Sequence, residues 1–282
     1  MTGADGAAPS MRAKPRCFLT GGMRAVASGG VRRVIMRIAA VEVHRLCAHF
    51  ATCYTGANHM NAIFFDLDGT LIDSRADLAT AVNLTRREFG LPDLPAGLVA
   101  SYVGDGLRRL VARAMPERFA RLDDAVTCAR TLYGAHLLDR TTLYPGVADA
   151  LRMLGAHGWK LAVVTNKPCE FIRPILDGLG VGGEFETLVG GGDTAALKPD
   201  PAPVLLAATR LGIADLHGSW VAGDHFTDME AGRRAGLQRC FCRYGFGELR
   251  GEGFDLAVDS LVELARHVGC QENDCSEGAC NN

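Results

Sequence analysis

Ala62-Ile63-Phe64-Phe65-Asp66-Leu67-Asp68-Gly69-Thr70 decides how this chain is read. The four apolar residues form a short run that suits a buried strand. Two carboxylates one residue apart at its end point to the same side, because strand side chains alternate. Gly69 frees the backbone to bend around a ligand. Acids placed this way suit metal-assisted chemistry on a phosphate ester. Taken alone, the pair also fits a strand-end turn, and the rest of the chain decides between the two.

Downstream, Ser74-x-x-Asp77 predicts a helix N-cap box with Asp in the usual Glu position. From there to Tyr144 the apolar spacing is helical. Leu78, Ala81, Val82 and Thr85 form one face, Leu107, Leu110, Val111 and Ala114 a second, and Ala125, Cys128, Ala129 and Leu132 a third. Pro92, Pro95, Gly104-Asp105-Gly106 and Pro116 punctuate these helices. Residues 74–144 are therefore expected to be an all-helical insert.

After Tyr144-Pro145-Gly146-Val147 the pattern changes. Strands are expected at 160–164, 187–189, 220–222, 239–243 and 256–258, with helices at 147–157, 170–179, 201–211 and 229–236. Strands alternating with helices call for an α/β fold, a Rossmann-like parallel sheet covered on both faces. The core is expected to comprise 60–73 and 145–268. Ligands of such sheets gather beyond the carboxyl ends of the strands.

Four polar stations fall at such ends: Asp66 and Asp68; Thr165-Asn166; Lys198-Pro199-Asp200-Pro201; and Gly223-Asp224-His225-Phe226-Thr227-Asp228. Their order and spacing resemble the four motifs of the haloacid dehalogenase superfamily, over nearly all of residues 61–265. That resemblance implies a fold with an inserted helical cap and an Mg²⁺-dependent phosphomonoesterase. Asp66 would attack phosphorus, forming an aspartyl-phosphate. Asp68 would protonate the leaving alkoxide and then take a proton from water. The implied Mg²⁺ ligands are Asp66, Asp224 and the Asp68 backbone carbonyl, with Asp228 binding through water or orienting Lys198. Thr165 and Asn166 would donate to phosphoryl oxygens, and Lys198 would neutralise charge there. Only four lysines occur (Lys14, Lys160, Lys167, Lys198) among 30 basic residues, so a Lys at that station is not compositional noise. His225 stands where the family more often has Ser or Thr. Packing or solvent exposure is its expected role, with substrate contact the alternative.

Asp68 separates phosphatases from the dehalogenases of this fold, which lack an acid there. The absence of Lys from residues 74–145 argues against phosphonate-cleaving relatives, which use one in the insert. Sugar-phosphate mutases have a His-bearing cap start that Asp73-Ser74-Arg75-Ala76-Asp77-Leu78 lacks. That segment, with Asn83, Phe89-Gly90-Leu91-Pro92 and Val103-Gly104-Asp105-Gly106-Leu107-Arg108-Arg109-Leu110-Val111, is most similar to bacterial phosphoglycolate phosphatases. The implied substrate is 2-phosphoglycolate, a small carboxylated metabolite whose salvage includes that released in repair of oxidised DNA ends. Arg108 and Arg109 are the candidates for its carboxylate. Alternatives are a related phosphatase for pyrophosphate, a nucleotide or a sugar phosphate, or a non-catalytic binding protein of the same fold.

Composition bounds the rest. Residues 1–59 carry eight Lys or Arg against Asp5 and Glu42, leaving 22 basic and 30 acidic residues, a net −8, from Met60 onward. An acidic body argues against nucleic-acid binding. No apolar run approaches the roughly 20 residues of a membrane span. The protein is expected to be cytoplasmic, a monomer or homodimer, with its ten cysteines reduced. Met60 is expected to be the natural start and 1–59 a weakly ordered extension. Cys270, Cys275 and Cys280 match no common zinc spacing, and 269–282 is expected to be a flexible acidic tail.

Overall fold

The computed structural model describes residues 61–277 of the chain. The expectations for residues 1–59 and for Cys280 lie outside the described residues. Strand β1 (Ala62–Phe65) is buried at every position. Ile63 and Phe65 pack into one apolar cluster and Ala62 and Phe64 into another, so both faces of the strand are covered. It lies at the centre of a six-stranded sheet of order β5-β4-β1-β6-β7-β8, all of whose pairings are parallel. The other strands are β4 (Lys160–Pro168), β5 (Thr187–Gly191), β6 (Trp220–Gly223), β7 (Gln238–Cys242) and β8 (Leu256–Val258). Ile63 is in register with Leu161 of β4 on one side and Trp220 of β6 on the other.

The two clusters define a three-layer sandwich. Helices α5 (Val147–Ala156), α6 (Cys169–Gly178) and α9 (Leu261–Glu277) supply Leu151, Leu154, Ile172, Ile175, Leu261 and Leu264 to one face. Helices α7 (Ala202–Leu211) and α8 (Phe226–Ala235) supply Val204, Ala207, Leu211 and Ala231 to the other. This is the expected Rossmann-like α/β core. No helix among the described residues is long and apolar enough to cross a membrane.

Four helices lie between β2 (Ile72–Asp73) and β3 (Thr142–Leu143): α1 (Arg75–Glu88), α2 (Ala96–Ala100), α3 (Leu107–Ala114) and α4 (Leu122–Ala135). The two short strands pair antiparallel, so both ends of the helical stretch leave the core at one place. Leu78, Ala81, Val82 and Thr85 are buried as their spacing predicts, and so are Leu110, Val111, Ala114, Ala125 and Ala129. Phe89 meets Phe119 edge to face at 5.4 Å beside this smaller core.

Some local expectations need correction. Ser74 stands at the N-cap of α1 but makes no capping bond there; its hydroxyl donates to Asp68 instead. Asp77 does not close a capping box either. Its Oδ2 accepts from the backbone N–H groups of Arg140 (2.9 Å) and Thr141 (2.8 Å) and from the Thr141 hydroxyl (2.8 Å). A fully buried carboxylate needs such donors, and no local cap offers three. Strand β4 runs to Pro168 rather than ending at 164, and β5 reaches Gly191, which pairs with Pro168. A Cβ on Gly191 would lie 2.9 Å from the Asn166 carbonyl oxygen, so only glycine lets the two strand ends close up. The backbone of 269–277, expected as a flexible tail, continues α9.

Candidate active site

The carboxyl ends of β1, β4 and β6, with the loop before α7, bring the sequence stations together. Lys198 is almost completely buried, and its ammonium has three neighbours. It donates to the Val164 carbonyl oxygen and to Asp228 Oδ1, each at 2.6 Å, and stands 3.0 Å from Asp66 Oδ1. The Asp66 oxygen lies off the line of a hydrogen bond, so it has a counter-charge but no aligned donor. Asp228 Oδ2 accepts from the His225 backbone N–H at 3.1 Å, so this residue fixes both Lys198 and the start of α8.

Asp224 is held from the opposite side. The backbone N–H groups of Phe246 and Gly247 donate to its Oδ2 at 2.9 and 2.7 Å. Gly69 makes this possible: its φ is +87°, and a Cβ there would fall 1.9 Å from Asp224 Oδ2. Asp66, Asp224 and Asp228 each offer a carboxylate oxygen within 4.8 Å of the others. Burial pushes the Asp66 carboxyl above its ordinary pKa, opposed by Lys198. Burial, reinforced by Asp66 and Asp228, raises Asp224 well above it. Among the described residues, Asp66, Asp68 and Asp228 pair with Lys167 and Lys198, and Asp224 has no cation partner among the ion pairs. Such an excess of buried negative charge, offering oxygen ligands, fits a hard divalent cation such as Mg²⁺.

Lys167 is the residue that sequence reading missed. Its Nζ lies 2.7 and 3.0 Å from the two Asp68 oxygens, and Ser74 donates to the same carboxylate. The scarcity of lysine and the position directly after Thr165-Asn166 were the available signals. Thr165 is buried at the cavity wall, where its hydroxyl accepts the Lys167 backbone N–H at 3.3 Å. Asn166 differs from its expected use. Its side-chain N–H₂ donates to the Gly104 and Lys198 carbonyls, both at 2.9 Å, and its Oδ1 accepts the Lys198 N–H at 2.8 Å. With those donors engaged, the side chain braces the loop before α3 against the core.

Asp66, Asp68, Thr165, Asn166, Lys167 and Asp224 line a cavity of about 50 Å³ whose far wall comes from the helical stretch: Leu78, Val103, Leu107, Leu110 and Tyr133. Room on this scale suits a few water-sized groups. His225 is buried in the wall, its Nδ1 3.0 Å from the Thr227 hydroxyl and its ring against Gly104. Burial lowers its pKa to about 4, which leaves it neutral at pH 7. Arg108 and Arg109 lie outside the lining. Arg108 pairs with Asp123 and Arg109 with Asp105, their side chains 63% and 69% exposed. The structure therefore gathers Asp66, Asp68, Thr165, Asn166, Lys198, Asp224 and Asp228, and leaves the two arginines at the surface.

The haloacid dehalogenase-like hydrolase family model matches residues 63–242, from β1 through β7. The chain belongs to that family. It is 39% identical over 212 residues to the phosphoglycolate phosphatase of Chromobacterium violaceum, covering 73% of this chain and 95% of the relative. A second phosphoglycolate phosphatase, from Pseudomonas putida, is 39% identical over 221 residues, covering 74% and 79%. Among solved structures, one described as a predicted phosphoglycolate phosphatase from Haemophilus somnus superposes with a TM-score of 0.69 at 29% identity. It covers 75% of this chain and 99% of its own. As a haloacid dehalogenase-like hydrolase, the chain carries its buried acids on the strand ends where this fold places ligands.

Proposed function

We propose that the protein is a Mg²⁺-dependent phosphatase that hydrolyses 2-phosphoglycolate to glycolate and phosphate. The observation that carries this is the convergence of Asp66, Asp68 and Asp224 on one small cavity, with Lys198 paired to Asp66 behind its wall. Asp66, Asp224 and the Asp68 carbonyl would hold the ion, with Asp228 behind them. When bound, Mg²⁺ offsets the repulsion between the Asp66 carboxylate and a phosphate dianion. The Asp66 carboxylate attacks phosphorus, and the bond to the ester oxygen breaks. Asp68, oriented by Ser74 and Lys167, gives the leaving alkoxide its proton. Water then attacks the aspartyl-phosphate, Asp68 takes its proton, and inorganic phosphate leaves with Asp66 regenerated. Lys198 balances phosphoryl charge, and the Thr165 hydroxyl is the side-chain donor for a phosphoryl oxygen.

Residues 74–144 act in this reading as a cap over a core of 60–73 and 145–268, excluding water while the phosphoenzyme forms. The size of the cavity favours a substrate of few atoms over a nucleotide. The test is phosphate release from 2-phosphoglycolate, pyrophosphate, a nucleoside monophosphate and a hexose phosphate, with Mg²⁺ and with chelator. The expected result is chelator-sensitive turnover that is fastest on 2-phosphoglycolate. A much better substrate elsewhere in the panel overturns the assignment but not the chemistry.

A further inference from the structure

Two side chains on the insert side of the cavity have no task in the chemistry above beyond the contact of Lys167 with Asp68. Lys167 is buried, and its ammonium stands over the ring of Tyr133, 4.6 Å from the centroid. An ammonium has three N–H donors, and two directions are taken by the Asp68 oxygens at 2.7 and 3.0 Å. Tyr133, on α4, is 2% exposed and packs edge to face on Phe171 at 5.2 Å, which fixes its ring. Its hydroxyl is buried and makes no aligned hydrogen bond, with the Lys167 ammonium as its polar neighbour. A buried hydroxyl in that state is costly and calls for an explanation. Burial moves the phenol to about 12, so at neutral pH it is a proton donor waiting for an acceptor.

The charges around the cavity give that donor a purpose. Lys198 is engaged by Val164, Asp228 and Asp66 at the phosphoryl end. His225 Nδ1 is engaged by the Thr227 hydroxyl, and Arg108 and Arg109 lie outside. Among the described residues Lys167 is the cation lining the cavity. It is tied to Asp68, the residue assigned to the ester oxygen, and so stands on the leaving-group side. In 2-phosphoglycolate the carboxylate carbon is two bonds from that oxygen. A second negative group brought there, beside four acids, needs a counter-charge of its own.

We infer that the Lys167 ammonium and the Tyr133 hydroxyl together form the subsite for the substrate's carboxylate, in place of Arg108 and Arg109. The inference rests on the phosphatase reading. One remaining ammonium N–H and one phenol O–H meet the two carboxylate oxygens, while Leu78, Leu107 and Leu110 keep water away. A substrate without a carboxylate leaves both donors unpaired, the arrangement by which polar sites reject analogues.

The test compares kcat/KM for 2-phosphoglycolate and for ethyl phosphate, which has the same two carbons and no carboxylate. Wild type is expected to prefer 2-phosphoglycolate. Tyr133→Phe should cut that preference about tenfold or more, mainly through KM, as loss of a hydrogen bond to a charged group requires. Lys167→Met should cut it further and also lower kcat on both substrates, because Asp68 loses its partner. A preference within about twofold of wild type in Tyr133→Phe overturns the inference, whether or not Lys167→Met folds. Equal turnover of the two substrates by wild type overturns it too, while leaving a phosphatase. Failure of wild type on both substrates sinks the 2-phosphoglycolate reading on which the inference rests.

Discussion

Lys198 and Asp228 form an ion pair closed to solvent, Nζ to Oδ1 2.6 Å, with side chains 2% and 0% exposed. Removing one partner leaves the other charge buried and unmatched. Lys198→Met is therefore expected to destabilise the protein by about 3–5 kcal/mol. The double variant Lys198→Met/Asp228→Asn should lose less than the sum of the two single variants. Urea unfolding of all four proteins checks this, and strict additivity would contradict the pairing.

Asp66→Asn keeps the shape of the side chain and removes the proposed nucleophile. Turnover should fall on the order of 10³-fold or more, and acid-quenched enzyme should carry no covalent phosphate. The variant should still bind inorganic phosphate in the presence of Mg²⁺. Undiminished hydrolysis would place the nucleophile elsewhere.

Much of this site was legible because Asp66, Thr165 and Asp224 each follow an apolar run, which sets them at the carboxyl end of a strand. Lys198 stands in the loop before α7 and was legible instead from the order of the motifs and the scarcity of lysine. Lys167 was missed because the strand was ended at Val164. With β4 continuing to Pro168, Thr165 and Lys167 stand two apart on one strand. Ser74 and Asp77 were misread for a different reason: their partners, Asp68 and Thr141, are set by tertiary structure, and local capping rules could not foresee them. The surface positions of Arg108 and Arg109 depend on Asp123 and Asp105, acids whose reach no spacing rule reports.

Gly69→Ala tests how tightly the proposed metal ligands are framed. The added methyl would meet Asp224 Oδ2 at 1.9 Å, in a backbone conformation (φ +87°) that alanine resists. The Mg²⁺ concentration for half-maximal turnover should rise about tenfold or more, as for other residues that orient a ligand. An unchanged Mg²⁺ requirement would mean that Asp224 does not depend on this turn.

His225 gives a pH signature. Its folded pKa of about 4 lies below the free value of 6.5, chiefly through burial. Above that free value neither state is protonated, and folding is not opposed. As pH falls through this window, the unfolded chain takes up a proton that the folded chain refuses, and stability is lost toward pH 4. At about pH 5 the loss should be on the order of 1–2 kcal/mol. His225→Gln should remove that share of the decline when unfolding is followed at pH 7.5 and pH 5. Identical declines in the two proteins would refute it.

The central position of β1 has a consequence for how the chain is made. The Ala62 N–H is bonded to the Ser219 hydroxyl, 157 positions further along. The strand that leads into Asp66 is thus the first of the sheet to be synthesised, yet it waits for its neighbour β6, which emerges from the ribosome long afterwards. Until then Ile63, Phe64 and Phe65 have β4 on one side at most and present an open apolar edge on the other, the kind of segment that aggregates or recruits chaperones. The helices between β2 and β3, whose contacts are mostly local, can assemble during that wait.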